Sequence, residues 1–194
     1  MRNRIFFKML AALALVVLVT AITLDISIRR AWETSLRDEI QRSLTAKTHL
    51  FANRVEIDRQ HSLQDIASQE AQAAGARATI IDPTGKVLAD SEADAASMEN
   101  HRTRKEFVSA LAGNIGVDER RSHTIGIPFL YVAAPVSGGA VRMAYPLSDV
   151  EAASQRVHHA LLAGSLIAFV IVMLLAAVVA HYTARRLQLS LIHI

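Results

Sequence analysis

Two long apolar segments frame a stretch in which apolar and polar residues alternate over shorter periods. Residues 9–24 form an uncharged run of 16, and residues 160–180 form an uncharged run of 21. A helix of that second length extends about 31 Å, which is enough to cross the hydrocarbon core of a bilayer. The pattern predicts two transmembrane helices with a folded region between them. A cleaved signal peptide is the alternative for the first segment, because it joins a basic start to an apolar centre.

A long amphipathic helix is predicted after the first apolar segment. Apolar residues within 25–61 recur at steps of three, four and seven, and the segment contains no Gly or Pro. This spacing is typical of a helix that packs one face against a sheet or a partner helix. A second helix is predicted at residues 63–74, because Ser62 and Asp65 have the spacing of a capping box. Gly75 then fits the C-cap of this helix.

The middle of the chain carries the shorter pattern of β-strands. A turn is predicted at residues 82–85, where Pro follows Asp and Gly closes the turn. Strands are predicted on both sides of this turn and at residues 117–123, 125–135 and 140–145. Between them, the capping-box sequence of residues 103–106 predicts a short helix. The order predicts an α+β domain, with an antiparallel sheet of about five strands and helices on one side.

The connection between the last predicted strand and the second apolar segment is short. The sequence from Ser148 to Glu151 has capping-box spacing, and no Gly or Pro follows before Gly164, so one helix is predicted to run into the apolar segment. Only two residues separate this helix from the strand. We interpret four residues as a joint that transmits movement of the sheet to the membrane: Pro146, Leu147, Ser148 and Glu151.

The distribution of charged residues predicts how the chain is oriented across the membrane. The formal net charge is +3, but all 18 acidic residues and 16 of the 21 basic residues lie within residues 25–159. The other five basic residues flank the apolar segments on their outer sides. Both termini are therefore expected in the cytoplasm, and residues 25–159 on the extracytoplasmic side of a cell membrane. No clustered basic face supports nucleic-acid binding, and the absence of Cys excludes cysteine nucleophiles and cysteine metal sites.

The loop after the first hairpin carries the candidate sensing or loop-locking residues: Asp90, Glu99, Asn100, His101 and Arg104. Asn and His can satisfy buried backbone groups, and Arg104 can pair with Glu99 or Asp90. His101 could titrate near pH 6.5 and so report acidity, although a single His is thin support for that role. No catalytic residue or metal site is expected in the chain.

Two alternatives use the same or neighbouring residues. The acidic side chains at Asp90, Glu92, Asp94 and Glu99 could bind a divalent cation, but they lack the alternation of a calcium loop. A triad of Ser91, His101 and Asp90 can be drawn, although nothing in the spacing selects those roles.

His158, His159 and His181 bracket the second apolar segment and are interpreted as interface residues rather than metal ligands. Gly164 and Ala168 form a small-xxx-small pair that permits close helix approach in a dimer.

Residues 77–147 resemble the extracytoplasmic, PAS-like sensor domain of the phosphate-regulon type of sensor histidine kinase. The resemblance is carried by residues of the hairpin region, of the segment before the short helix, and of the later strands: Asp82, Gly85, Asp90, Ser91, Met98, Glu99, Asn100, His101, Arg104, Arg121, Ser122, Tyr131, Val132, Ala133 and Arg142. Outside this range the resemblance extends to the layout of the flanking helices only.

The resemblance implies a homodimer held by transmembrane and juxtamembrane helices, a HAMP linker, and a kinase domain that uses ATP and Mg²⁺ and passes phosphate to a response regulator. Residues 181–187 look like the start of a HAMP domain, but the Pro that usually follows is absent, so the last residues are interpreted as truncated and not native. No glycine-rich nucleotide loop occurs in this chain, and no cofactor is expected in it.

The chain is therefore expected to consist of a cytoplasmic N-terminus (1–8), a first transmembrane helix (9–24), a juxtamembrane helix (25–61), a PAS-like sensor (62–147), a connecting helix (148–159), a second transmembrane helix (160–180) and the start of a HAMP-like linker (181–194). The expected function is the sensor and transmembrane region of a two-component histidine kinase, itself non-catalytic. The alternatives are a sensor for another output, such as a cyclase or a chemotaxis-type receptor, and a stand-alone membrane-bound scaffold.

Overall fold

The computed structural model describes residues 2–121 and 126–190, and within these it leaves out the side chains of residues 2–7, 9–10, 149–154 and 180–190. Ser122 and the end of the strand predicted at 117–123 lie outside the described residues. The chain forms two compact units. One comprises residues 35–151, and the other comprises residues 1–34 together with 152–194.

The described part of the chain contains four α-helices and five β-strands. In chain order they are α1 (Arg2–Ile57), α2 (Leu63–Ala74), β1 (Arg77–Ile81), β2 (Val87–Asp90), α3 (Lys105–Leu111), β3 (Gly116–Arg121), β4 (Pro128–Val136), β5 (Gly139–Pro146) and α4 (Ser148–Ser190), with a 3₁₀ turn at Ala95–Ser97. Ser62 accepts a hydrogen bond from the Asp65 amide and Gly75 adopts a left-handed conformation, as the capping pattern predicted. The expected cap at Thr103 is not formed, because α3 begins after Arg104, which makes no side-chain cap.

The five strands form one antiparallel sheet in the order β2-β1-β5-β4-β3. This matches the predicted α+β class and the predicted number of strands. Strand β5 lies at the centre and pairs with β1 on one side and β4 on the other. The last strand of the sheet along the chain is therefore also its central strand.

The two faces of the sheet pack against different helices. One face holds the larger core, which includes Phe51 of α1, Ile66 of α2 and Met143 of β5. The opposite face packs Phe107 and Ala110 of α3 against a smaller cluster of strand residues, namely Ile81, Ala133 and Ala140. The prediction that all helices lie on one side was wrong, because alternate residues of the central strands are buried on both faces.

Both α1 and α4 contain a stretch long and apolar enough to span a membrane, and neither stretch is buried by the rest of the protein. The stretches lie within residues 11–57 and 155–179. A folded domain of 117 residues, 35–151, lies between them in the sequence. These features are those of a membrane protein with a domain between two candidate spans.

Candidate functional site

A buried network of charged and polar side chains lies on the α3 side of the sheet. It comprises side chains from all five strands, from α3 and from the loop before α3: Arg77, Thr79, Asp90, His101, Glu106, Asp118, Arg120, Tyr131 and Arg142. Five of these residues are almost completely buried, namely Thr79, Asp90, His101, Glu106 and Arg142. Buried charges in such number must be paired to be tolerated, so the pairing defines the site.

Asp90 anchors one end of the network, at the end of β2. Its carboxylate accepts hydrogen bonds from Arg77 Nε at 3.0 and 3.1 Å and from Thr79 Oγ1 at 2.8 Å. The backbone amides of Glu92 and Ala93 also donate to it, at 2.9 and 3.0 Å. Burial alone would raise the pKa of Asp90, but these hydrogen bonds and the charge of Arg77 hold it below its ordinary value. Asp90 is therefore a paired carboxylate at neutral pH.

Glu106 anchors the other end, on α3. Its two oxygens accept hydrogen bonds from Arg120 at 2.8 and 2.9 Å, which is the two-pronged geometry that suits arginine and carboxylate. Arg120 also donates to Asp118 at 2.6 Å and stacks 3.7 Å above the Tyr131 ring. Burial alone would lower the pKa of Arg120, but its bonds to Glu106 and Asp118 raise it.

Arg142 of β5 connects the two ends. Its Nη2 donates to Thr79 Oγ1 at 3.1 Å, and its Nη1 lies 3.7 Å from Glu106 Oε1. The residue is 3% exposed, and its Nε has no hydrogen-bond partner among the described residues. Burial lowers the pKa of Arg142 to about 10, against the opposing attraction of Glu106. Arg142 is thus a cation at neutral pH whose donors are only partly used.

The predicted loop residues lie beside this network. Asn100 Nδ2 donates to the Thr84 carbonyl at 3.1 Å, and the His101 amide donates to the Gly85 carbonyl at 2.7 Å. These bonds hold the loop against the β1–β2 turn. Gly85 has a φ of +89°, and a Cβ there would lie 2.5 Å from the Arg102 backbone nitrogen, so the close approach needs glycine.

Arg104 and Glu99 are only loosely paired. Their charged groups lie 3.9 Å apart, and the Glu99 side chain is 91% exposed. Arg104 does not contact Asp90, which pairs with Arg77 instead. The proposed triad is not assembled either, because Ser91 Oγ accepts from the Ala78 amide and His101 Nδ1 lies 2.6 Å from the Glu99 carbonyl. Among the residues described, no group of three or more acidic or histidine side chains is placed to hold a metal ion.

His101 does not titrate near pH 6.5, as the sequence suggested. Burial, together with the charges of Arg142 and Arg104, lowers its pKa to about 4. Its charged form is disfavoured because it would be a third cation beside two guanidinium groups. His101 is therefore a neutral side chain of the network across the ordinary pH range.

A pH titration of stability should reveal this effect. The unfolded chain binds a proton at His101 near its ordinary pKa of 6.5, whereas the folded chain does so only near 4. The free energy of unfolding should therefore fall as pH drops through this window, by up to roughly 3 kcal/mol. Protonation of carboxylates with lowered pKa values, such as Asp90, also destabilises the folded chain, but only at lower pH, below about 3.9.

Two histidine variants isolate this contribution. His101→Gln should be less stable at neutral pH but should lose the pH dependence between about 6.5 and 4. His49→Gln is the matched control, since His49 is exposed on α1, and it should retain the dependence. Thermal unfolding of the full chain at several pH values measures both. An unchanged slope in His101→Gln would contradict the assignment.

The four joint residues lie at the end of β5, the strand that carries Arg142, and at the start of α4. Pro146 ends β5 opposite Phe129, and the Leu147 amide donates to the Pro128 carbonyl at 2.9 Å. Leu147 is 1% exposed and belongs to the main core. Ser148 is the first residue of α4, and Glu151 lies in α4 with its side chain outside the described part. The strand that carries Arg142 is thus fixed up to the residue before the helix.

Seven of the nine network residues were missed as site residues by the sequence interpretation: Arg77, Thr79, Glu106, Asp118, Arg120, Tyr131 and Arg142. A usable signal existed for Arg142, which lies between Val141 and Met143 in an apolar strand and so had to be buried with a partner. Glu106 gave a weaker signal, as an acid next to Phe107 on a short helix. Their pairing depends on the sheet register, which local patterns do not show.

Comparisons with known proteins support the fold. No protein-family model matches the chain, and no curated protein matches its sequence. The sensory domain of the Campylobacter jejuni chemoreceptor Tlp3 (CcmL) with isoleucine bound is similar in structure, with a TM-score of 0.54 and 11% identity over 73% of this chain and 65% of that one. Another structure of that sensory domain has a TM-score of 0.52 and 12% sequence identity, over 70% of this chain and 64% of that one.

A third structure, the Tlp3 ligand-binding domain in complex with L-valine, gives a TM-score of 0.52 at 13% identity, over 73% of this chain and 66% of that one. This chain therefore spans slightly less than two thirds of the length of those domains. At this level of identity the likeness concerns the fold alone. The chain has the PAS-like α+β fold of chemoreceptor sensory domains.

Proposed function

We propose that the chain is the sensor and transmembrane region of a bacterial two-component histidine kinase. Residues 35–151 would be the extracytoplasmic sensor, and the apolar parts of α1 and α4 would be the two spans, with both termini in the cytoplasm. The kinase chemistry, with its ATP, Mg²⁺ and response regulator, would belong to a segment that is not part of this chain. The motif resemblance at residues 77–147 favours this output.

One observation carries the proposal. Central strand β5 bears Arg142, the residue that connects both ends of the buried network. The strand ends at Pro146, and α4 begins two residues later, at Ser148. A change in the network therefore acts on a strand with little slack before the membrane helix. Such an arrangement allows a two-state change in the sensor to bias the membrane helices.

A chemotaxis-type receptor is the second candidate. The three structural neighbours described above are sensory or ligand-binding domains of a chemoreceptor, one of them bound to isoleucine and another in complex with L-valine. The same sensor and joint would serve that output equally well, since the fold does not fix the output. We also propose that the protein acts as a homodimer through α1 and α4, as the resemblance implies.

The membrane topology and the output can be tested with two cysteine variants and two chimeras. The chain has no Cys, so single cysteines at Asn3 and at exposed Gly138 report on each side when an impermeant maleimide is added to whole cells. Labelling is expected at position 138 only. A chimera that joins residues 1–187 to a histidine-kinase output should then autophosphorylate in membranes, and a chimera with a chemoreceptor output tests the second candidate. Labelling at position 3 alone, or failure of both chimeras, would contradict the proposal.

A further inference from the structure

Asp25 and His158 form a contact between α1 and α4. Asp25 directly follows the first uncharged run, and His158 lies two residues before the second. Both belong to the compact unit of residues 1–34 and 152–194. The His158 Nδ1 lies 3.4 Å from Asp25 Oδ2, and the two side chains are 32% and 16% exposed. The contact thus joins the two helices at the ends that lead into the sensor domain.

The contact is incomplete as a hydrogen bond. Three buried side-chain polar atoms lack a partner among the described residues, and two of them, Asp25 Oδ1 and His158 Nδ1, belong to this contact. Buried polar groups are nearly always bonded, so orphaned atoms call for an explanation. A carboxylate beside hydrocarbon is especially costly without a cation. Protonation of the imidazole would supply that cation and a charge-assisted bond.

We propose that Asp25 and His158 form a proton-dependent latch between the two membrane helices of one protomer. The imidazolium holds the helix ends together through a charge-assisted bond. The neutral imidazole leaves the carboxylate without a counter-charge, so that the ends separate and take up water. Among the described residues, the titratable groups in contact with His158 are Asp25 from α1 and His159 from α4, whose ring centroid is 5.9 Å away. The neighbouring basic residues on the two helices, Arg29 and Arg156, are exposed.

This latch goes beyond the proposed function, because it would operate with any output attached to α4. Its signal is the proton concentration at the outer membrane surface. Imidazole is the side chain whose ordinary charge change falls between about pH 5 and 8. The latch would therefore set how strongly the helix ends are coupled, independently of the buried network in the sensor sheet.

Spin labels on the full chain in lipid nanodiscs test the latch. The cysteine-free sequence accepts one label on each helix, at Ile22 and Leu162, which are 51% and 45% exposed. Dilution with unlabelled protein restricts the measured distances to one protomer. Between about pH 5.5 and about pH 8.5 the distance should lengthen by about 2 Å, the scale of helix shifts in signalling proteins, or its distribution should broaden.

Variants assign the response to the pair. Asp25→Asn and His158→Gln should each give one distribution that does not change with pH, and His158→Lys should hold the short distance throughout, since it carries a fixed cation. His159→Gln is the matched control and should respond like the original chain. A distance that is constant with pH in the original chain, or a response that persists in His158→Gln, would overturn the proposal.

Discussion

Replacing Glu106 with Gln is expected to lower the free energy of unfolding of the sheet domain by about 3 to 5 kcal/mol. Glu106 is fully buried and bonds Arg120 through both oxygens, while the buried Arg142 guanidinium lies 3.7 Å away. Gln preserves the shape of the side chain but removes its charge, so two guanidinium groups lose their shared counter-charge. Hydrogen exchange of the β4 and β5 amides in the full chain measures the loss, because core strands exchange through global opening.

Two further variants show whether the loss arises from the buried charge. Glu119→Gln removes an exposed ion pair with Arg37, whose side chains are 42% and 44% exposed, and should change stability by less than about 1 kcal/mol. The double variant Glu106→Gln/Arg120→Gln should lose clearly less than the sum of the two single losses, because the partners are coupled. Equal losses for Glu106→Gln and Glu119→Gln would show that the network is not a buried charge system.

Local sequence patterns were sufficient for the elements that depend on neighbouring residues. The capping residues and length of α2 follow from Ser62, Asp65 and Gly75, whose hydrogen bonds are all local. The turn at Asp82 and Gly85 is of the same kind, since the bonds within the turn join residues at most four positions apart. The long apolar runs likewise gave the two candidate spans.

The placement of α3 and the network could not be predicted in this way. Phe107 packs on the face opposite α1 because β1, β4 and β5 are buried on both sides, and two-sided burial is a property of the whole sheet. Glu106 meets Arg120 and Arg142, which come from β3 and β5 and lie 14 and 36 residues away in sequence. His101 was assigned an ordinary titration for the same reason, since its burial beside Arg142 is a tertiary effect.

The network also changes where a signal would enter the domain. The sequence directed attention to the exposed acidic loop, but only Asp90 and His101 of the predicted set are buried in the site. Through Thr79 and Arg142, Asp90 is connected to β5, the strand that leads to the membrane. A change at the loop can therefore reach the start of α4 through bonded side chains on the α3 side of the sheet. It does not require α1 or α2, on the other side, to move.

Insertion of one alanine between Leu147 and Ser148 is expected to uncouple the sensor from its output. One added residue rotates the rest of α4 by about 100° and advances it by about 1.5 Å. Leu147 cannot absorb this change, because it is buried in the core and its amide is bonded to Pro128. In the kinase chimera, the ratio of the two output states should shift by about 5- to 150-fold, the usual range of coupling between sites. Autophosphorylation in membranes measures this ratio.

An insertion at the other end of β5 is the matched control. One alanine after Gly138 enlarges the exposed turn between β4 and β5 without changing the phase of α4, so the output should stay near that of the original chimera. Hydrogen exchange of the sheet should be similar in both variants, which separates a rephased helix from an unfolded domain. If the output survives the insertion at the joint unchanged, the connection is flexible and the signal does not pass through β5 as proposed. If both insertions abolish the output equally, the effect belongs to the sheet and not to the joint.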